Sequence, residues 1–234
     1  MKQLARTHFP RLWPGVFLVL AWPFAFAYDG AIFEWSRTLG RGVIEFFQVV
    51  THIGEGTWIL VFFAVSTILL FAARHKMRDH KFWDLIDDLT RKFAFIFISV
   101  AGAGLIAAGL KYLFGRARPT HFDELGAYYM APLSTDAEFA SFPSGHSTNI
   151  FALAFSLAVL LPWARVPLLL LASGIAFSRV AIGAHFLSDI IAGAFLSFLF
   201  VLWWRQRAQL RGFLPLPLDG RVHSDLVSET GSTR

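Results

Sequence analysis

Apolar residues run through this chain in long blocks, not in the half-buried spacing of a soluble fold. Six blocks stand out: Pro14 to Tyr28, Thr57 to Ala73, Phe93 to Leu110, Thr148 to Trp163, Val166 to Val180 and Phe186 to Trp204. Each approaches the roughly 17 to 25 mostly apolar residues that a membrane-spanning helix needs. The first and fourth are short, a mismatch that a bilayer takes up by thinning locally. The pattern predicts an all-α, polytopic membrane protein. Its domain is a six-transmembrane-helix bundle over residues 14–204, preceded by a segment 1–13 and followed by a tail 205–234. A cleaved signal peptide competes for the first block, but Trp13-Pro14 and Tyr28-Asp29 offer no small-residue cleavage site.

Between the first two blocks the pattern changes. Glu34, Arg37, Arg41, Glu45 and Gln48 recur at steps of three and four, which places them on one helical face. Ile32, Trp35, Leu39, Val43, Phe46, Phe47 and Val50 cover the rest. An interfacial helix on the outer face of the membrane fits this pattern, and a helix packed on the bundle fits it equally. The stretch from Arg74 to Lys92 mixes bases with Asp84, Asp87 and Asp88 and reads as a solvated loop in preference to a metal cluster. The tail, ending SDLVSETGSTR, has the composition of a disordered segment.

Composition supports the membrane reading. The 234 residues are 56% hydrophobic and 16% charged, with 26 Phe and 8 Trp, against about 25% charged residues in an average soluble domain. The absence of cysteine excludes disulfides, thiol nucleophiles and thiolate metal sites. A net charge of +5 could suggest nucleic acid, but the placement of the bases argues for a bilayer instead. With both termini on the cytoplasmic side, 15 of the 21 Lys and Arg residues fall on that side, as the positive-inside rule requires. The remaining face is then extracytoplasmic, which in a bacterium means the periplasmic side of the inner membrane.

Three polar segments emerge together on that outer face. KYLFGRARP, with Lys111, Arg116, Arg118 and Pro119, ends the third block; PSGH, Pro143 to His146, precedes the fourth; SRVAIGAHFLSD, Ser178 to Asp189, joins the fifth to the sixth. Lys111, Arg118 and Arg179 bring three cations near one surface, and such side chains bind phosphate oxygens well. Arg116 is either a fourth phosphate ligand or a base snorkelling to lipid headgroups. Ser144 suits a helix N-cap and Gly145 permits close backbone approach, so Ser144-Gly145-His146 forms either an anion site or a plain capping turn carrying a histidine. His185 and Asp189 lie four apart and would share a helix face. There the carboxylate could fix the imidazole tautomer and leave the other nitrogen free to attack. A metal site built from His146, His185 and Asp189 is the rival chemistry, and the surrounding cations disfavour it.

Together the segments resemble the type-2 phosphatidate phosphatase superfamily, which also includes bacterial acid phosphatases and vanadium haloperoxidases. Its pattern of Lys-x6-Arg-Pro, Pro-Ser-Gly-His and Ser-Arg-x5-His-x3-Asp is met here in order by Lys111–Pro119, Pro143–His146 and Ser178–Asp189. The resemblance implies a metal-independent, cofactor-free lipid phosphatase working through a phosphohistidine. His185 would be the nucleophile, Asp189 its support and His146 the general acid. Lys111, Arg118, Arg179, Ser144 and the Gly145 amide would hold the phosphate. The implied partner is a lipid phosphate in the outer leaflet: polyprenyl diphosphate, lipid A 1-phosphate, phosphatidylglycerol phosphate or phosphatidate. Two rivals are a non-catalytic transporter or scaffold, which has no need of the histidine–carboxylate pair, and a vanadate-dependent haloperoxidase, whose known forms look soluble and larger. The segment from Thr120 to Phe142 is expected to cover the site.

Overall fold

The computed structural model of the protein describes residues 2–214 except Asp79, with side chains from Pro14 onward. Eight α-helices follow in chain order: α1 (Lys2–Arg37), α2 (Arg41–Thr51), α3 (Gly56–Lys76), α4 (Trp83–Phe114), α5 (Phe122–Leu125), α6 (Gly145–Leu160), α7 (Arg165–Ala181) and α8 (Leu187–Leu210). Among the described residues the only β-type pairing is an isolated bridge between Arg116 and Met130. Among the described residues, five helical stretches are long and apolar enough to cross a membrane: Pro14–Arg37, Arg41–Lys76, Trp83–Phe114, Pro162–Ala181 and Leu187–Leu210. The sixth expected span, α6, has 16 residues, or about 24 Å at 1.5 Å per residue, shorter than a hydrocarbon core of about 30 Å.

The bundle is organised around α6, which packs on α4, α7 and α8. Its buried residues are mostly small, including Ser147, Thr148, Ala152, Ala154, Ser156 and Ala158, so neighbouring backbones come close. The crossing with α8 brings backbone against backbone. A Cβ on Gly193 would lie 2.8 Å from the Ser144 carbonyl oxygen, so only glycine fits there. Around it the Ser147 hydroxyl donates to the Ile190 carbonyl at 2.6 Å and the Ser197 hydroxyl to the Thr148 carbonyl at 2.7 Å. The adjoining core, with Ile59, Phe63, Phe95, Val100, Phe155 and Phe198, ties α3, α4, α6 and α8 together. Large apolar side chains such as Phe17, Leu20, Phe24, Ile68, Leu105 and Leu170 face outward, the inverse of a water-soluble surface.

Three expectations need correction. The segment from Ile32 to Val50 is not one helix: α1 ends at Arg37 and α2 begins after Gly40, whose extended backbone forms the N-cap. α2 packs against α7, with Phe47 meeting Phe177 edge-on, while Phe46 and Val49 remain exposed. The expected loop from Arg74 to Lys92 is mostly helix, since α3 continues to Lys76 and α4 starts at Trp83. Its Asp87 is not solvated but buried, pairing with Arg74 and Arg91 at 2.5 Å each. Those pairs let charged turns extend the apolar helices. Finally, α8 continues past Trp204 to Leu210, and Leu214 packs into the core; the disordered tail expected beyond it lies outside the described residues.

Candidate active site

The site lies at the end of the bundle where α4 and α7 finish and α6 and α8 begin. α4 stops at Gly115, which is left-handed with φ of 60° and donates its N–H to the Lys111 carbonyl at 2.9 Å. A Cβ there would fall 1.7 Å from the Ala131 carbonyl oxygen. This turn sends the chain back over the bundle and places Lys111 and Arg118 on either side of the bend. The Lys111 ammonium donates to the Ala140 carbonyl, and the Arg118 Nε donates to the Ala137 carbonyl at 2.8 Å. The segment from Thr120 to Phe142 thus lies over the site, tied to the cations beneath it.

Ser144 is buried and extended, its hydroxyl accepting from the Ser147 N–H at 3.4 Å as the N-cap of α6. Its own N–H donates to the Asp189 carbonyl at 3.1 Å. The first turn of α6 is thereby held against the first turn of α8. Lys111 passes beside Gly145, where an added Cβ would sit 3.6 Å from the lysine Cε. His146 faces the turn at Gly54, within electrostatic reach of Lys111, Arg118 and Arg179. Arg179, in the last turn of α7, donates from Nη1 to the Thr51 hydroxyl at 3.0 Å. Its Nε is buried without a hydrogen-bond partner among the described residues, a donor whose desolvation is uncompensated until an acceptor arrives.

His185 and Asp189 do come together, but not on a shared helix face. His185 lies in the turn between α7 and α8, and Asp189 occupies the first turn of α8 after the N-cap Phe186. The Asp189 Oδ2 accepts the Phe186 N–H at 3.0 Å, so the carboxylate folds back over the helix start toward His185. Nδ1 of His185 is 3.6 Å from that oxygen, beyond hydrogen-bond range. The Ser141 hydroxyl lies between them, 3.4 Å from Nδ1 and donating to Oδ2 at 2.7 Å. Its remaining lone pairs suit a proton on Nδ1, which leaves Nε2 for chemistry. Burial pushes the His185 pKa down to about 4, opposed by Asp189 and reinforced by the Lys111 and Arg179 charges. The ring is therefore neutral at pH 7.

Arg116 is neither a phosphate ligand nor a snorkelling base. Its guanidinium is wholly buried and pairs with Asp29 at 2.8 Å and Asp189 at 2.6 Å. It also donates to the Ser188 hydroxyl and the Ala127 carbonyl and stacks against Phe186 with 4.5 Å to the ring centroid. A base so surrounded is too committed to bind anything else. Sequence reasoning missed Asp29, Ser141 and Ser188. Asp29 did carry a signal, being a carboxylate at the end of a long apolar block, where it is costly without a partner. The two serines carried none. The structure thus gathers Lys111, Arg118, Ser144, Gly145, His146, Arg179, His185 and Asp189 at one end of the bundle.

The PAP2 superfamily profile matches residues 92–212. Among curated proteins, the lipid A 1-phosphatase of Rhizobium etli is 34% identical over 157 residues, 64% of this chain and 65% of that one. The lipid A 1-phosphatase of Rhizobium johnstonii is 43% identical over 152 residues, 62% of this chain and 60% of that one. The match thus spans just under two thirds of those relatives. In fold, the chain is similar to a transmembrane PAP2-type phosphatidylglycerolphosphate phosphatase from Bacillus subtilis, with a TM-score of 0.56 over 84% of this chain and 96% of that one, at 22% identity. The profile spans more than half of the chain and every motif residue assembled around His185, and on that ground the chain belongs to the PAP2 superfamily.

Proposed function

We propose that the protein is an integral-membrane phosphatase that removes phosphate from a lipid headgroup, with lipid A 1-phosphate as its preferred substrate class. The observation that carries the reading is the neutral His185, its Nδ1 side occupied by Ser141 and Asp189, within reach of the Lys111 and Arg179 charges. Nε2 attacks phosphorus, and the bond to the leaving oxygen breaks as His146, which holds a proton once the negative phosphate offsets the Lys111, Arg118 and Arg179 charges around it, gives that proton to the leaving oxygen. A water then gives a proton to His146 and attacks the phosphohistidine, returning His185 and releasing phosphate. Lys111, Arg118, Arg179 and the first-turn amides of α6 stabilise the equatorial oxygens throughout. These cations do electrostatically what a divalent ion does in other phosphoryl transfers.

The placement of the basic residues supports six spans, with α6 as the short one, both termini cytoplasmic and the His185 end extracytoplasmic. On that orientation α2 lies at the outer interface with Phe46 and Val49 toward lipid. The substrate choice rests on the two Rhizobium relatives, whose names specify lipid A 1-phosphate, and on a site that faces the leaflet where such a lipid resides.

The test is phosphate release by detergent-purified protein in EDTA, with His185→Ala alongside. The substrates are lipid A 1-phosphate, polyprenyl diphosphate, phosphatidylglycerol phosphate and phosphatidate. Release that persists in EDTA, is lost in the variant and is fastest on lipid A supports the whole reading. A faster rate on another lipid overturns the substrate, and dependence on a divalent ion overturns the mechanism.

A further inference from the structure

We propose that Asp29, in the first membrane helix, is a positioning residue for phosphoryl transfer, acting on His185 through Arg116 and Asp189; this rests on the phosphatase reading above. Asp29 lies outside the segment matched by the family profile, residues 92–212, and does not contact His185 in any described pair.

The geometry is closed. Arg116 has five N–H donors and makes five hydrogen bonds: Nε and Nη2 to the Ala127 carbonyl, Nη2 to Asp29, and Nη1 to the Ser188 hydroxyl and Asp189. Asp29 in turn accepts the Ser188 N–H at 2.9 Å on Oδ1 and the Ser188 hydroxyl on Oδ2. It therefore caps the first turn of α8 from another helix, the same turn from which Asp189 projects. Asp29, Arg116, Ser188 and Asp189 all have zero exposure.

Charge balance argues for a role beyond packing. One guanidinium sits between two carboxylates, so Asp29 and Asp189 share the Arg116 charge. A lone Arg116–Asp189 pair would be neutral and cheaper to bury. The species that gains from this sharing is the cationic imidazole ring that forms as His185 takes the phosphoryl group. Asp29 draws on the Arg116 charge, so that Asp189 keeps more of its own for that ring. Asp189 divides its oxygens accordingly, with Oδ1 toward Arg116 and Oδ2 toward Ser141 and His185.

The experiment compares wild type, Asp29→Asn and Asp29→Glu in detergent by kcat, KM, pH profile and thermal unfolding. The Asn variant keeps the shape and removes the charge. Its kcat should fall on the order of 10- to 100-fold, the usual cost of losing an outer-shell partner, with KM changing by less than about threefold. Removing a negative charge also makes His185 harder to protonate, so the acid limb of kcat/KM should move to lower pH. The Glu variant should recover part of kcat. A merely structural pair would alter the folded fraction and leave the limb in place. A folded Asp29→Asn protein with wild-type kcat and an unmoved limb overturns the proposal. If that variant does not fold, Asp29→Glu decides instead, because it keeps the charge and displaces the carboxylate from Arg116 and Ser188. A several-fold loss of kcat at unchanged KM would then support the proposal, and unchanged kcat would overturn it. Wild-type protein that releases no phosphate overturns the phosphatase reading and this proposal together, whereas active wild type with an indifferent Asp29→Asn overturns this one alone.

Discussion

The two ends of the bundle carry buried ion clusters of opposite design. At the His185 end one cation, Arg116, lies between two carboxylates, Asp29 and Asp189, with all three side chains at 0% exposure. At the other end one carboxylate, Asp87, lies between two cations, Arg74 and Arg91, whose side chains are 35% and 39% exposed. Each cluster joins elements distant in sequence. The first links α1, the turn after α4 and the start of α8; the second links α3 to α4 and, through Arg91 to the Gly212 carbonyl at 2.9 Å, to the segment after α8. The difference lies in the surroundings. The Asp87 cluster can exchange its arginine partners for water. The dry cluster cannot, and its charge is felt by the neighbouring histidine.

Substitutions at the two ends should therefore differ in kind as well as size. The largest effect is expected for His185→Ala, which should lower phosphate release by about 10⁴-fold or more, as loss of a covalent nucleophile does; residual turnover near wild type would remove His185 from the chemistry. Arg116→Met leaves two carboxylates buried and unpaired. It should cost about 3 to 5 kcal/mol, the range for breaking a buried pair, together with activity, as read by thermal unfolding and phosphate release. A stable, active Arg116→Met protein would erase the contrast between the clusters.

A pH titration sharpens the same comparison. The folded His185 pKa of about 4 lies below its ordinary value of 6.5, so between these values the unfolded chain binds the extra proton. Stability should be fully present above pH 6.5 and fall as the pH drops toward 4. His185→Ala should reduce the slope of that part of the melting-temperature profile. The smallest effect is expected for Asp87→Asn. Because its partners are more than a third exposed, solvent screening limits the loss to about 1 kcal/mol, with phosphate release within about twofold of wild type. A loss of activity there would mean that the two ends communicate.

Several features were legible in the chain before any fold was known. Long apolar blocks located the helices, although α1 and α8 outrun them because Arg37 and Arg207 close helices that hydropathy alone would end earlier. Ser144 before Gly145-His146 indicated a helix start, and it caps α6 as expected. The His185–Asp189 spacing suggested contact for an incomplete reason. The two meet across a helix N-terminus, where the carboxylate folds back to the Phe186 N–H and Ser141 inserts between them.

Hydropathy, base placement and short motifs are local properties, and by themselves they determined that the chain is helical, suits a membrane and gathers basic residues and histidines at one end. Partner choice was decided only by the tertiary structure. Arg116 and Asp29 are 87 positions apart and Ser141 and Asp189 are 48 apart, so no periodicity connects them. In a low-dielectric interior a charge must be matched by whatever polar group the packing delivers. That delivery depends on how closely α1, α6 and α8 approach in three dimensions, the α6–α8 approach being set by Gly193 against Ser144 and Thr148.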